Sequence, residues 1–235
     1  FTFSNGTWRQ QAYVKSGNTD NGDEFGDAVA FSSDGNTLAV GAQMEDSAAR
    51  GINGDGEDNS MNDAGAVYVF TRSSGTWQQQ AYVKASNSDA DDRFGDALAL
   101  SADGNTLAVG ALYEASAATV INGNENDNSM AYAGAVYLFT RSNGTWRQQA
   151  YVKASNTNGG DQFGDALALS ADGNALAVGA AYEDGAGIGI DGDQEENGMP
   201  AAGAVYLFRR SSGAWQQQAY VKAGNSYVED WFGHV

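Results

Sequence analysis

The sequence predicts an all-β protein made of tandem four-stranded antiparallel meanders. Three observations point there. One unit recurs along the chain at a constant step, its apolar residues alternate with the period of a strand, and glycine-rich turn signals separate the runs. Glycine is abundant at 31 residues, while proline occurs once, so tight turns are frequent and nothing interrupts the strands.

The repeat is read from landmark residues. Trp8, Trp77, Trp146 and Trp215 stand 69 residues apart, as do Phe25, Phe94, Phe163 and Phe232. The run Phe94–Ala111 returns at Phe163–Ala180 with one change, Thr106 to Ala175. The units are therefore 25–93, 94–162 and 163–231. Residues 1–24 form the last strands of a preceding unit, and 232–235 begin a following one. Because the chain stops inside a strand, it is expected to be an excerpt of a longer chain or a processed species.

Within the unit that starts at Phe94, four strands are predicted. Asp96–Ser101 alternates Ala97 and Ala99 with Leu98 and Leu100. Asp103-Gly104-Asn105 then supplies a hairpin turn, since these residues tolerate positive φ. Thr106–Ala111 is the second strand, and a loop of roughly 20 residues follows. Gly134–Arg141 is the third strand, with Val136 and Leu138 on one face and Tyr137 and Phe139 on the other. A turn at Ser142–Thr145 leads to the fourth, Trp146–Ala154. Arg147, Gln148, Gln149 and Lys153 mark that last strand as the wet, outer one.

The first three strands are apolar on both faces. One face is bulky and the other is slim, with Ala97, Ala99, Ala108, Gly110 and Ala135 on the slim side. Such a sheet must be covered twice, and bulky against slim suits sheets stacked face to face. Leu98, Leu100, Leu107, Val109, Val136 and Leu138 are each worth roughly 1.5–3 kcal/mol when buried. An isolated unit would forfeit most of that, so units are expected to stack.

Composition narrows the function. Twelve basic residues against 30 acidic ones leave a net charge of −18, which repels nucleic acid and anionic membranes and attracts cations. No cysteine is present, so disulfides, thiolate metal sites and thiol nucleophiles are excluded. No apolar run approaches the roughly 18 residues of a membrane-spanning helix, so no membrane insertion is expected.

FGDAVAFSSDGNTLAVGA at Phe25–Ala42, followed by AGAVYVF, resembles the FG-GAP repeat of integrin α-chain β-propellers and their bacterial relatives. The pair Phe-Gly stands at Phe25-Gly26, Phe94-Gly95, Phe163-Gly164 and Phe232-Gly233. Gly-Ala follows at Gly41-Ala42, Gly110-Ala111 and Gly179-Ala180. The resemblance implies that each unit is a propeller blade. The fold class is thus all-β, with tandem four-stranded antiparallel meander blades of β-propeller type, in a partial ring or an open stacked array. Two departures matter. The family's calcium loop joins the first two strands of a blade, but here that connection is only Ser33-Asp34-Gly35-Asn36, too short for the site. Rings generally need four to eight blades, so three and a fraction do not close alone.

The long loop between the second and third strands is the candidate metal site. It reads INGDGEDN, INGNENDN and IDGDQEEN in the three units. The candidate ligands are Asn53, Asp55, Glu57 and Asp58; Asn122, Asn124, Asn126 and Asp127; and Asp191, Asp193, Glu195 and Glu196. Oxygen side chains at alternate positions let a short loop curl around one hard cation, Ca²⁺ above all. The second unit has the fewest charges and is expected to bind most weakly. The plain alternative is a solvated acidic loop. A second acidic cluster precedes each Phe-Gly, with Asp23, Asp92, Asp161 and Asp230 equivalent. Turn chemistry, in which aspartate accepts backbone N–H bonds at a corner, is the favoured reading there. The repeated tryptophans and Tyr13, Tyr82, Tyr151 and Tyr220 could stack on sugar rings, although aromatic residues in strands more often pack. Asn5-Gly6-Thr7 and Asn143-Gly144-Thr145 fit glycosylation sequons, and they also fit hairpin turns.

Catalysis has little to build on. The one histidine, His234, has no histidine counterpart in the other units. The expected function is a non-enzymatic, extracellular or cell-surface bacterial repeat protein. It would serve adhesion or structural assembly as a surface fibre or matrix, stabilised by Ca²⁺. Its partners would be copies of itself, further repeats of the same chain, or a cell-surface protein or glycan. A lectin-like glycan-binding propeller is the alternative.

Overall fold

Glycine and asparagine set the corners, and the alternating runs between them become strands. The computed structural model describes residues 1–234, so Val235, the last residue of the terminal fragment, lies outside the described residues. A short hairpin, β1 (Thr2–Ser4) and β2 (Thr7–Arg9), opens the chain. The first full sheet holds β3 (Val29–Phe31), β4 (Thr37–Ala42), β5 (Ala66–Ser73) and β6 (Thr76–Val83). The second holds β7 (Phe94–Leu100), β8 (Thr106–Ala111), β9 (Ala135–Ser142) and β10 (Thr145–Val152). The third holds β11 (Leu167–Leu169), β12 (Ala175–Ala180), β13 (Ala204–Ser211) and β14 (Ala214–Val221). Every sheet is an antiparallel meander, and the described residues include no helix. The three blades stand in tandem as an open, propeller-type array.

Turn chemistry explains the corners. Asn143 and Gly144 adopt φ of 50° and 78°, the positive pair that a two-residue hairpin turn requires. At the other corner only Gly104 has positive φ, 68°. Asp103 fixes that turn by accepting from the Ser101 hydroxyl at 2.6 Å and from the Asn105 backbone N–H at 2.9 Å.

Blades stack bulky face onto slim face. Leu107, Val109, Tyr137, Phe139, Trp146 and Tyr151 of the second blade share one core with Ala39, Val67, Val69, Ala81 and Val83 of the first. The next seam repeats this, with Phe163, Leu176, Val178, Tyr206 and Phe208 against Ala108, Val136, Leu138, Ala150 and Val152. Two details correct the sequence reading. Ala135 lies on the bulky face with Tyr137 and Phe139, and Val136 and Leu138 add volume to the slim one.

The Phe-Gly and Gly-Ala pairs meet across the seams. A β-carbon at Gly41, Gly110 or Gly179 would run into the carbonyl oxygen of Gly95, Gly164 or Gly233 in the following blade. Gly95, Gly164 and Gly233 themselves hold φ near 104°, 108° and 98°, which side chains rarely adopt. The two glycines let neighbouring backbones touch, and the phenylalanine beside them fills the core. Phe94 packs edge-on to Tyr137 at 5.4 Å, and Phe163 to Tyr206 at 5.3 Å.

The fourth strand is the outer, edge strand expected, but its second half is not the wet one expected. A β-bulge interrupts its register between Gln148 and Ala150. Before the bulge, Arg147 is exposed; after it, Tyr151 pairs with Tyr137 on the bulky face and Lys153 follows it inward. Lys153 is 1% exposed, so it is a core residue rather than a surface one. The same shift lies between Val69 and Phe70 of β5, and between Leu207 and Phe208 of β13, which sends Lys84 and Lys222 inward too.

Candidate functional site

Each seam buries a polar cluster built from three distant pieces of sequence. Glu45 lies in the loop just after β4, Lys84 directly follows β6, and the segment before the blade brings in Asn18. Lys84 Nζ donates to Glu45 Oε2 at 2.9 Å, with the two side chains 0% and 2% exposed. Asn18 Nδ2 and the Tyr82 hydroxyl donate to the other oxygen, Oε1, at 3.2 and 2.7 Å. The Tyr68 hydroxyl donates to Asn18 Oδ1 at 2.7 Å. The second seam brings together Asn87, Glu114, Lys153 and Tyr137, although there the Tyr151 hydroxyl makes no hydrogen bond, and the third repeats the full set with Asn156, Glu183, Lys222, Tyr206 and Tyr220. Burial pulls the Lys84 and Lys153 ammonium groups below their ordinary range, against the attraction of the glutamates. A buried ion pair is weak evidence for stability but is well suited to fixing register.

A second buried carboxyl, that of Asp23, Asp92 or Asp161, marks the corner before three of the four Phe-Gly pairs, while Asp230 before the fourth is exposed. Asp92 Oδ2 accepts the backbone N–H of Asp89 at 3.1 Å, and Asp161 Oδ2 that of Asn158 at 3.0 Å. These are corner-closing bonds of the kind turn chemistry predicts. Burial pushes both carboxyls up to about 8, which the backbone bond only partly opposes. Asp27, Asp96, Asp165 and His234 occupy one position in successive units. Burial, then the Asp165 and Asp27 carboxylates, raise Asp96 to about 6, and His234 Nδ1 lies 2.8 Å from Asp165 Oδ2.

The candidate metal ligands lie on the loops between β4 and β5, β8 and β9, and β12 and β13. Their side chains divide into three local tasks. Asn53, Asn122 and Asp191 adopt φ of 56°, 56° and 54° and accept the backbone N–H of Tyr82, Tyr151 and Tyr220, each at 3.0 Å. They clip the loop to the end of the fourth strand. Asp55, Asn124 and Asp193 accept the N–H two residues on, at 3.1, 3.3 and 3.0 Å, from Glu57, Asn126 and Glu195. Asp58 and Asp127 reach back to the N–H of Ala48 and Ala117 at 3.0 and 3.1 Å. Hydrogen bonds from Ser60 and Ser129, then from those backbone groups, hold both carboxylates below the ordinary range. The third loop carries Glu196 at that position, and its backbone carbonyl accepts from the N–H of Ala186 instead. Among the described residues, no three Asp, Glu or His side chains converge as a metal-binding group.

The aromatic residues weighed as sugar platforms are mostly packing. Tyr82, Tyr151 and Tyr220 are buried, as are Trp146 and Trp215. Arg141 stacks over Trp146 at 5.3 Å, and Gln80 Oε1 of the preceding blade accepts from both, at 3.0 and 3.1 Å. Arg210, Trp215 and Gln149 repeat the arrangement. Both sequon asparagines, Asn5 and Asn143, stand in hairpin turns at φ 50°.

Sequence reasoning missed the seam clusters. Their members are 27 and 39 residues apart, and only folding brings them together. A signal was available: Asn, Glu and Lys hold these positions in all three units, while Met44, Tyr113 and Tyr182 show that the residue beside the glutamate varies.

Stacked meanders with glycine contacts at every seam define a propeller-type repeat protein. The FG-GAP repeat model matches three times, at residues 8–70, 77–139 and 146–208, and the chain belongs to that family. The first match starts in β2 of the opening hairpin, the other two start in the fourth strand of one sheet, and all three end in the third strand of the next. No curated protein matches the chain. Among solved structures, Saccharomyces cerevisiae Sqt1 is similar with a TM-score of 0.48 at 8% identity, over 88% of this chain and 38% of that one. A putative 6-phosphogluconolactonase from Bacteroides uniformis gives 0.46 at 13% identity, over 83% and 40%. A hypothetical selenium-binding protein from Sulfolobus tokodaii gives 0.42 at 10%, over 82% and 40%. The chain thus spans about two fifths of the length of each. Among the described residues, no helix is long and apolar enough to cross a membrane.

Proposed function

We propose that the chain is part of a non-enzymatic extracellular repeat protein that serves adhesion or structural assembly, as a surface fibre or matrix. The observation that carries this reading is the identity of successive seams. Seam after seam, the same glycines, aromatics and buried ion pair are committed to joining one blade to the next. Family membership supports it, because FG-GAP repeats are generally non-enzymatic and typically extracellular. Partners on this reading are further blades or further copies, which present the same faces. Cell-surface proteins or glycans would be met through the loops.

Calcium binding to the acidic loops belongs to the same proposal. Asp55, Glu57 and Asp58 in the first unit, and Asp191, Asp193, Glu195 and Glu196 in the third, would supply most of the charge. Calorimetry with added Ca²⁺ and with EGTA tests it. The melting temperature is expected to rise with Ca²⁺, and Asp55→Asn with Asp58→Asn should remove part of the rise. An identical melting temperature in EGTA would count against it. Electron microscopy of the longer array, showing ordered fibres rather than discrete particles, separates structural material from a soluble receptor.

A further inference from the structure

Each seam holds an amine, a primary amide and a carboxyl group together, with the amine and carboxyl buried in all three and the amide buried at Asn87 and Asn156 and half-buried at Asn18. We propose that the lysine and asparagine sharing each buried glutamate condense into an intramolecular isopeptide cross-link: Lys84 with Asn18, Lys153 with Asn87, and Lys222 with Asn156. No other reactant is needed, and the chain's own side chains supply every role.

The geometry assigns those roles. In the first seam, Lys84 Nζ and Asn18 Nδ2 hydrogen-bond to opposite oxygens of Glu45, at 2.9 and 3.2 Å. In the second, the distances to Glu114 are 3.0 and 3.4 Å, and in the third, to Glu183, they are 2.7 and 3.1 Å. Two groups on one carboxyl lie within roughly 5 Å of each other, so a side-chain rotation brings the amine onto the amide carbon. That carbon is already polarised. The Tyr68, Tyr137 and Tyr206 hydroxyls donate to the amide oxygens at 2.7, 2.6 and 2.6 Å, where negative charge would develop during attack. All three lysine side chains are 0% exposed, so water competes poorly for the same carbon.

The step balances. Glu45 takes a proton from the Lys84 ammonium group, leaving a neutral amine. The Nζ lone pair attacks Asn18 Cγ, and the charge on Oδ1 is held by the Tyr68 hydroxyl. Glu45 then delivers its proton to the amide nitrogen, the Cγ–Nδ2 bond breaks, and ammonia leaves. A second proton passes from the new amide nitrogen to the carboxylate and on to ammonia. The products are one Nζ–Cγ amide and one ammonium ion, with no change of oxidation state. Glu45 is thus the proton carrier and Tyr68 the oxyanion donor. Each bond would tie the segment entering a blade to that blade's last strand.

Intact mass spectrometry of the purified, denatured chain tests this without any variant. The expected mass is below the sequence mass by one ammonia for every closed seam, up to three. Proteolysis should release branched peptides that join Asn87 to Lys153. Asparagine cyclisation also sheds ammonia, so Lys153→Arg is the control. That chain should regain one ammonia and lose only the Asn87–Lys153 peptide. Glu114→Gln, which keeps both reacting groups, should do the same. A wild-type mass equal to the sequence mass, with all three lysines open to acylation after denaturation, would overturn the proposal. So would a deficit that persists unchanged in Lys153→Arg.

Discussion

At the scale of single residues, the buried carboxyls of Asp92 and Asp161, before Phe94-Gly95 and Phe163-Gly164, make stability depend on pH. Asp92 and Asp161 are drawn into the seam by a backbone hydrogen bond, and burial raises both to about 8 from an ordinary 3.8. The folded state therefore binds protons that the unfolded chain has released. Stability from these groups is fully present below the unfolded value near 3.8 and is lost as pH rises through about 8. Asp92→Asn keeps an oxygen for the Asp89 N–H and removes the titration. Urea unfolding of that variant should show a flatter profile between pH 5 and 8.5, ending on the order of 1–3 kcal/mol above the parent at the alkaline end. A variant profile parallel to the parent's would contradict the assignment. The role of Asp92 as a corner residue was legible in the sequence, because aspartate before a glycine turn is local chemistry. Its burial was not, because that depends on the neighbouring blade.

At the scale of the element, the fourth strand shows what pattern reading can reach. Thr106–Ala111 was legible to the residue, bounded by a glycine turn on one side and a polar loop on the other. The run WRQQAYVK was legible as a strand, yet its inner half was not. Straight alternation from Trp146 would turn Tyr151 and Lys153 away from the bulky face, whereas the bulge between Gln148 and Ala150 turns them onto it. Removing Gln149 should restore simple alternation and expel both side chains from the seam. Breaking the buried Lys153–Glu114 pair alone costs about 3–5 kcal/mol, so urea unfolding of the deletion variant should lose at least that much. An unchanged urea midpoint would show that the bulge does not set the facing of the strand. The loop residues Asn53, Asn122 and Asp191 were read for their oxygens. Their positive φ and their bonds to the fourth strand emerge only when that strand's end is in place.

At the scale of the whole molecule, the constant 69-residue step made the tandem architecture legible, and the two-sided apolar pattern made stacking legible. The seam chemistry was hidden because it joins the segment entering a blade to two parts of that blade. What the chain builds is a set of sheets that each lack a complete core until a neighbour closes them, bulky side to slim side. The most direct test is to express residues 94–162, which contain the whole second sheet, and follow urea unfolding by circular dichroism and tyrosine fluorescence. If a blade is held together by its neighbours, the isolated unit should show no cooperative transition, while the 235-residue chain unfolds cooperatively. A sharp transition in the lone unit, at a urea midpoint close to that of the full chain, would contradict the dependence of each blade on the next.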